Sequence, residues 1–132
     1  MKTKLVIFAR ILTGLMFTVF GINGLMMFIL GKGFIPAPPP EGVMLTIMTG
    51  FLATKYLMIL VKLLEVIAGI LLLLNLYFNF ALLLLGPIVV NILCIHLFVV
   101  PEGIPVAIIT TILYGILFFS RWEKAKIIFE KN

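Results

Sequence analysis

The chain has 132 residues, of which 64% are hydrophobic and only 11% are charged. A soluble domain of this length could not bury so much apolar surface, because a small chain keeps a large share of its surface in contact with solvent. The formal net charge of +5 comes mainly from residues near the two ends of the chain. This distribution disfavours nucleic-acid binding, which needs a basic stripe on a folded face, and favours an integral membrane protein.

The apolar stretches predict an all-α membrane protein, a bundle of four transmembrane helices in a single domain that covers residues 1–132. A helix needs about 20 apolar residues to cross the hydrocarbon core of a bilayer. The predicted spans are, in chain order, residues 5–30, 56–74, 80–99 and 104–119. A turn at residues 75–79 separates the second span from the third, and Pro101-Glu102-Gly103 separates the third from the fourth.

A loop and a short helix are predicted between the first two spans. Residues 31–42 are rich in glycine and proline, and proline lacks the N–H that a helix requires. Residues 43–53 are apolar, but as a helix they would be only about 16 Å long, too short to cross a bilayer. We therefore predict an interfacial or re-entrant helix that covers the outer mouth of the bundle.

Lysine and arginine are concentrated at the two ends of the chain. The positive residues that flank the first and last spans are Lys2, Lys4, Arg10, Arg121, Lys124, Lys126 and Lys131. Only Lys32 and Lys55 flank the first loop. Because positive residues mark the cytoplasmic side, the sequence predicts a cell-membrane protein with both termini in the cytoplasm, which requires an even number of spans.

Two charged residues lie inside the second predicted span. Lys62 and Glu65 are three residues apart, so they share one helix face and can form an ion pair. An unpaired charge at mid-membrane costs about 3 kcal/mol or more, so a pair is the cheaper arrangement. The pair is either a structural pin for the second helix or part of a polar functional site. Gly69, one turn further on, and the stripe of Gly14, Thr18 and Gly21 in the first span are predicted to allow close helix packing.

Three more polar side chains fall in the same half of the membrane when the spans alternate in direction: Asn23, Asn91 and His96. We predict that these three residues, Lys62 and Glu65 line one cavity between helices in the outer leaflet. Each has a structural alternative. Asn23 and Asn91 can serve as hydrogen-bond partners within the bundle, and His96 can be an interfacial side chain.

The single histidine and single cysteine exclude several kinds of site. They cannot build a closed zinc site, an internal disulfide or a bis-histidine haem site. Cys94 lies in an apolar stretch and is predicted to be an inert small hydrophobe. The sequence also has no phosphate-binding loop and no GxGxxG motif.

Three segments of the chain resemble the DoxX family of small four-helix membrane proteins. They are Gly21-Ile22-Asn23-Gly24, the stretch that begins Lys62-Leu63-Leu64-Glu65, and Asn91-Ile92-Leu93-Cys94-Ile95-His96. The proline-rich loop is also similar, so the resemblance covers nearly the whole chain. It implies an association with quinone or sulfur redox in the membrane, since relatives are similar to subunits of a thiosulfate–quinone oxidoreductase or are associated with an oxidative-stress complex.

Two classes of function follow. The first is a redox-associated subunit, such as a subunit of a membrane oxidoreductase, that binds a quinone or a similar lipid-soluble ligand. Its expected ligand-binding residues are Asn23, Lys62, Glu65, Asn91 and His96, which include donors for a carbonyl headgroup and titratable groups for proton uptake. The second is a non-catalytic assembly or scaffold protein whose polar cluster fixes helix packing or docks a partner. The expected surroundings are the bilayer, a membrane or redox protein partner, or further copies of the chain.

Overall fold

The computed structural model describes residues 3–131, which form helices and turns and contain no strand. The helices are, in chain order, α1 (Thr3–Leu30), α2 (Gly42–Thr54), α3 (Leu57–Leu73), α4 (Phe78–Phe98), α5 (Ile104–Ser120) and α6 (Trp122–Ala125). Short 3-10 turns precede α5 at Pro101–Gly103 and follow α6 at Lys126–Phe129. The four predicted spans and the predicted short helix are all confirmed as helices.

The helix ends have local causes. α1 ends before Gly31, whose φ of +83° lies in the left-handed region that favours glycine. α2 ends at Thr54, directly before Lys55, and the turn before α4 contains Asn75 and Tyr77. Lys55, Asn75 and Tyr77 all have left-handed backbone. These breaks shorten the predicted second span, residues 56–74, to the 17 residues of α3.

Three segments are long and apolar enough to cross a membrane: α1, α4 and the continuous stretch Pro101–Ser120. α3 alone is about 26 Å long at 1.5 Å per residue, slightly less than the hydrocarbon thickness of about 30 Å. α3 is long enough to count as a candidate span only when it is taken together with α2, and the two helices are bent by 91° relative to each other. The described residues therefore hold three candidate spans, or four if the bent pair counts as one span. Such a chain is compatible with an integral membrane protein, and the four-span topology stays a prediction.

The four long helices pack in a ring. α1 contacts α3 and α5, α4 contacts the same two helices, and α2 packs on α3 at the rim. We name the two ends of the bundle: the α2 end carries α2 and the α4–α5 turn, and the termini end carries Thr3, the α3–α4 turn and α6. Leu72, Leu85 and Leu117 are fully buried between the helices. Many large apolar side chains face outward, as suits a bundle surrounded by lipid.

Small residues let α1 and α3 approach closely. A Cβ atom built on Gly69 would lie 2.7 Å from the backbone nitrogen of Thr18 and 2.9 Å from the carbonyl oxygen of Gly14. A Cβ atom on Gly21 would meet Val66 in the same way. Helices in a membrane lack the hydrophobic driving force that acts between helices in water, so they associate through such close packing. The predicted packing role of this stripe and of Gly69 is therefore confirmed.

The closest point of this contact gives a stability prediction. Gly69→Ala should destabilise the protein by about 1–3 kcal/mol, because the new methyl would meet the hydroxyl of Thr18 and two backbone atoms of α1, and the backbone atoms cannot turn away. The matched control is Gly115→Ala in α5, where a Cβ atom would have no neighbour within 4 Å. The control should be neutral or stabilising by up to about 1 kcal/mol, since alanine favours a helix over glycine. Thermal unfolding in detergent measures both changes, and equal midpoints would contradict the packing argument.

Arg10 has a structural role that sequence analysis missed. Its guanidinium donates to the carbonyl oxygens of Leu72 at 2.5 Å and Leu73 at 3.1 Å. Carbonyls in the last turn of a helix lack an intrahelical partner, and a cation there also complements the helix dipole. Arg10 therefore ties the start of α1 to the end of α3. Lys2, which also entered the topology prediction, lies outside the described residues.

Candidate functional site

Lys62 and Glu65 form an ion pair inside the bundle. The Nζ atom of Lys62 lies 3.1 Å from each carboxylate oxygen of Glu65. Glu65 is only 3% exposed, while 21% of the Lys62 side chain remains accessible. The stem of Lys62 packs against Gly24 of α1, where a Cβ atom would overlap it. The pairing predicted from their spacing is confirmed, and α1 holds the lysine in place.

A cavity of about 350 Å³, here named the α2 cavity, lies between α2, α3 and α4. Its polar lining consists of Lys62, Glu65 and Asn91. The remaining wall is apolar and includes the thioether side chains of Met44, Met48 and Met58. Asn91 is exposed on this wall, so its amide can offer a donor and an acceptor to a molecule in the cavity.

A second cavity of about 240 Å³, here named the His96 cavity, lies on the other side of the ion pair. It is bounded by α1, α3, α4 and α5, and its polar lining consists of Lys62, Glu65, His96 and Thr110. Thr110 was not predicted as a site residue, because a lone threonine in an apolar helix carries no distinguishing signal. Its hydroxyl donates to the carbonyl of Val106 within its own helix, at 2.8 Å.

The sequence predicts one cavity, whereas the structure has two that meet at the ion pair. Asn91 lines the α2 cavity and His96 lines the other. The reason is helix geometry: residues five apart on an α-helix are rotated by roughly 140° about its axis. Lys62 and Glu65 line both cavities, as does Ile92. The two cavities thus share one charged wall.

Asn23 does not join the other four residues. It lines neither cavity, and its side-chain oxygen accepts a hydrogen bond of 2.9 Å from the backbone N–H of Ile35. The predicted placement in the cavity is therefore corrected. The hydrogen bond holds the loop that follows α1 against the end of that helix, and Gly33 passes too close to Asn23 for a Cβ atom.

Removing this hydrogen bond should free the loop. In Asn23→Ala, cleavage by a lysine-specific protease at the exposed Lys32 should become about fivefold faster, because one hydrogen bond contributes about 1 kcal/mol. Asn91→Ala, a change of the same kind outside the loop, should leave the rate unchanged. Digestion of the purified protein followed by mass spectrometry measures both. An unchanged rate in Asn23→Ala would show that the bond does not restrain the loop.

The α4–α5 turn fixes the ring of His96. Its Nδ1 atom lies 3.0 Å from the carbonyl oxygen of Val100. Because a carbonyl only accepts, Nδ1 carries the proton in this contact, and Nε2 of the neutral ring is left as an acceptor. Gly103 packs directly against the ring, where a Cβ atom would overlap it. The turn therefore sets the tautomer and the position of the imidazole at the α2 end of the bundle.

The arrangement suits an apolar molecule with a polar head. Lys62 has three donors and directs two contacts to Glu65, which leaves donor capacity beside Asn91. Glu65 and His96 can hold or release a proton. The two cavities have predominantly apolar walls, and their polar groups are the shared ion pair, Asn91 and His96 on α4, and Thr110 on α5. Ligand sites of this kind combine a mainly apolar lining with few polar groups.

Comparison of the chain with protein-family models, with curated proteins and with solved structures gives no match. The resemblance to the DoxX family therefore stays a prediction that depends on the three motifs and the proline-rich loop.

Proposed function

We propose that the chain is a cell-membrane protein of four spans with both termini in the cytoplasm. In this proposal α3 crosses as the second span, and α2 lies at the outer face of the bilayer or re-enters it. The positive charges at the termini end support the orientation. The sharp bend before α3 and the rim position of α2 support the assignment of α2 as a cover for the bundle.

The proposed function is binding of a quinone or a similar lipid-soluble ligand in the α2 cavity, as a redox-associated membrane subunit. The observation that carries it is the ion pair of Lys62 and Glu65, which is buried between helices and yet lines two cavities. Intramembrane ionisable residues are functional candidates because their burial is costly. The cavity volume of about 350 Å³ falls within the range of about 300–1,000 Å³ typical of small-molecule sites.

The residues present fit the head of such a ligand. A quinone supplies carbonyl oxygens that accept hydrogen bonds and a ring that can be reduced. Lys62 and Asn91 would donate to a carbonyl oxygen, while the methionines of α2 and α3 would pack on the ring and its apolar tail. Glu65 would hold a proton at its carboxylate, and His96 would hold one at Nε2 on the other side of the pair. The similarity to the DoxX family supports the same class of ligand.

The test is to identify what the protein carries. Organic extracts of the purified protein should contain a quinone or a related lipid-soluble carbonyl compound by mass spectrometry. Asn91→Leu should reduce its amount severalfold, because the amide is one of the polar contacts in the cavity. The matched control is Asn79→Leu, which changes the same residue type at the other end of α4 and should retain the ligand. An extract with lipids alone, or equal loss in both variants, would contradict the proposal.

A second function, a non-catalytic assembly or scaffold role, is favoured by one contact. Both oxygens of Glu65 are engaged by Lys62, whose stem is held against Gly24. A mutually satisfied pair of this kind needs no ligand and is sufficient to fix the packing of α3 on α1. The scaffold role predicts a stable complex with a partner protein and no bound small molecule in the same purification.

A further inference from the structure

A third cavity of about 220 Å³ opens at the termini end and extends along α4 as far as Pro87, which also lines the α2 cavity. It is bounded by α4, α5 and the C-terminal segment that contains α6, and we name it the basic groove. Its apolar wall includes Leu82, Leu83, Pro87 and Phe118. Its polar residues include Asn79, Arg121 and Lys124. The groove thus places two cations beside a continuous apolar wall.

Both cations are available to an anion. The guanidinium carbon of Arg121 lies 4.4 Å from the ring centroid of Phe78, a cation–π contact that uses none of the N–H donors of the guanidinium as hydrogen bonds. Neither Arg121 nor Lys124 has a carboxylate within 4.0 Å among residues 3–131. The neighbouring Glu123 is paired with Lys126 instead.

The surroundings of the groove are those of a membrane–water interface. Trp122 stacks on Phe129, with ring centroids 6.2 Å apart, and the apolar side chains of Ile127 and Ile128 are exposed beside the lysines. Tryptophan and basic residues together mark the headgroup level of a bilayer. Leu83, on the groove wall, is 61% exposed, so the groove is open along the outer face of α4.

We propose that the basic groove binds one anionic phospholipid. Arg121 and Lys124 would bind the phosphate, with the Asn79 amide as a further donor, and an acyl chain would lie along Leu83 and Pro87. Charge complementarity selects an anion, and the apolar wall selects one with a hydrocarbon chain over a soluble phosphate. Basic pockets between helices on the cytoplasmic side bind lipid headgroups in this way. Apart from Pro87, the groove shares no lining residue with the α2 cavity, and neither Lys62 nor Glu65 lines it.

The test uses the purified full-length protein and two lipids with the same acyl chains, dioleoyl phosphatidylglycerol and dioleoyl phosphatidylcholine. In native mass spectrometry the protein should retain the anionic lipid at least about tenfold better. The variant Arg121→Gln with Lys124→Gln should lose this preference, because each basic residue near the headgroup favours an anionic lipid by about a fivefold factor. Lys124 is exposed, and Arg121 is half-buried with its guanidinium against the ring of Phe78. The variant therefore loses one cation–π contact, and its thermal unfolding midpoint should fall only slightly.

The matched control removes two other positive charges of the same segment, with Lys126→Gln and Lys131→Gln. Neither residue lines the groove, so this variant should keep the preference. Equal loss in both variants would show a general effect of surface charge and overturn the proposal. Equal retention of the two lipids by the natural protein would also overturn it. Complete displacement of the lipid by millimolar inorganic phosphate would show a simple anion site and contradict the role of the apolar wall.

Discussion

Lys62→Met alone should destabilise the protein by about 3–5 kcal/mol, because it leaves the carboxylate of Glu65 buried without its partner. Glu65 is almost fully buried and both of its oxygens accept from Lys62. The bilayer offers no water to replace that lysine from the lipid side. Glu65→Leu alone should cost less, since the lysine is partly accessible and its long stem can extend toward the interface.

The double variant Lys62→Met with Glu65→Leu should recover most of the lost stability. Well-packed apolar residues often replace a buried ion pair with little or no loss, because the cost of desolvating both charges disappears. If the pair serves a ligand, the same folded variant should lose the small molecule that co-purifies with the natural protein. Stability and ligand retention should therefore separate in the double variant, while both should fall in Lys62→Met.

The measurements are detergent stability for all three variants and mass spectrometry of their extracts. Gly115→Ala is the control for an unrelated substitution, since its position is open and lies outside both cavities. A stable double variant that retains the natural ligand would reduce the pair to a structural role. A double variant as unstable as Lys62→Met would show that the ion pair stabilises the fold through contacts that apolar residues cannot replace.

Much of this fold could be predicted because its signals are local. Apolar stretches and glycine or proline breaks define each helix without reference to the rest of the chain. The spacing of Lys62 and Glu65 likewise predicts a contact within one helix, and the small residues of α1 predict close packing without naming the partner. Such inferences need only the geometry of a single helix.

The errors arose where the answer depends on contacts between elements. Asn23 shares its predicted membrane depth with the other site residues, but the loop that follows α1 brings the backbone of Ile35 to its side chain. Asn91 and His96 lie on one helix and in the same predicted half of the membrane, yet their rotation about the axis of α4 assigns them to different cavities. In the sequence, Arg10 is one of the positive residues that indicate topology. Its contact with carbonyls at the end of α3 becomes visible only when the helices are packed together. The predicted depth of a residue in the membrane therefore indicates how far along the bundle a site lies. It does not determine which side chains line that site.

The C-terminus is expected on the same side of the membrane as the N-terminus, and this distinguishes the two ways of counting spans. α1, α4 and the Pro101–Ser120 stretch give three crossings, and the bent α2–α3 pair gives a fourth if α3 crosses the bilayer. Three crossings would place the two termini on opposite sides, whereas four place them together. The positive residues at both ends favour the cytoplasm for each.

The measurement uses reporters fused after Asn132 and before Met1. A fluorescent protein that folds only in the cytoplasm should be bright at both ends, and a phosphatase that folds only outside should be inactive at both, with activity ratios of at least tenfold. The control is the phosphatase inserted in the loop at Gly33, where it should be active. A bright N-terminal fusion with an active C-terminal phosphatase would mean three crossings. In that case α3 would not cross the bilayer, and Lys62 and Glu65 would lie in a partly inserted helix. Their charges would then avoid the free-energy cost of burial at mid-membrane. That cost is the main argument for a functional site, and the argument would be lost.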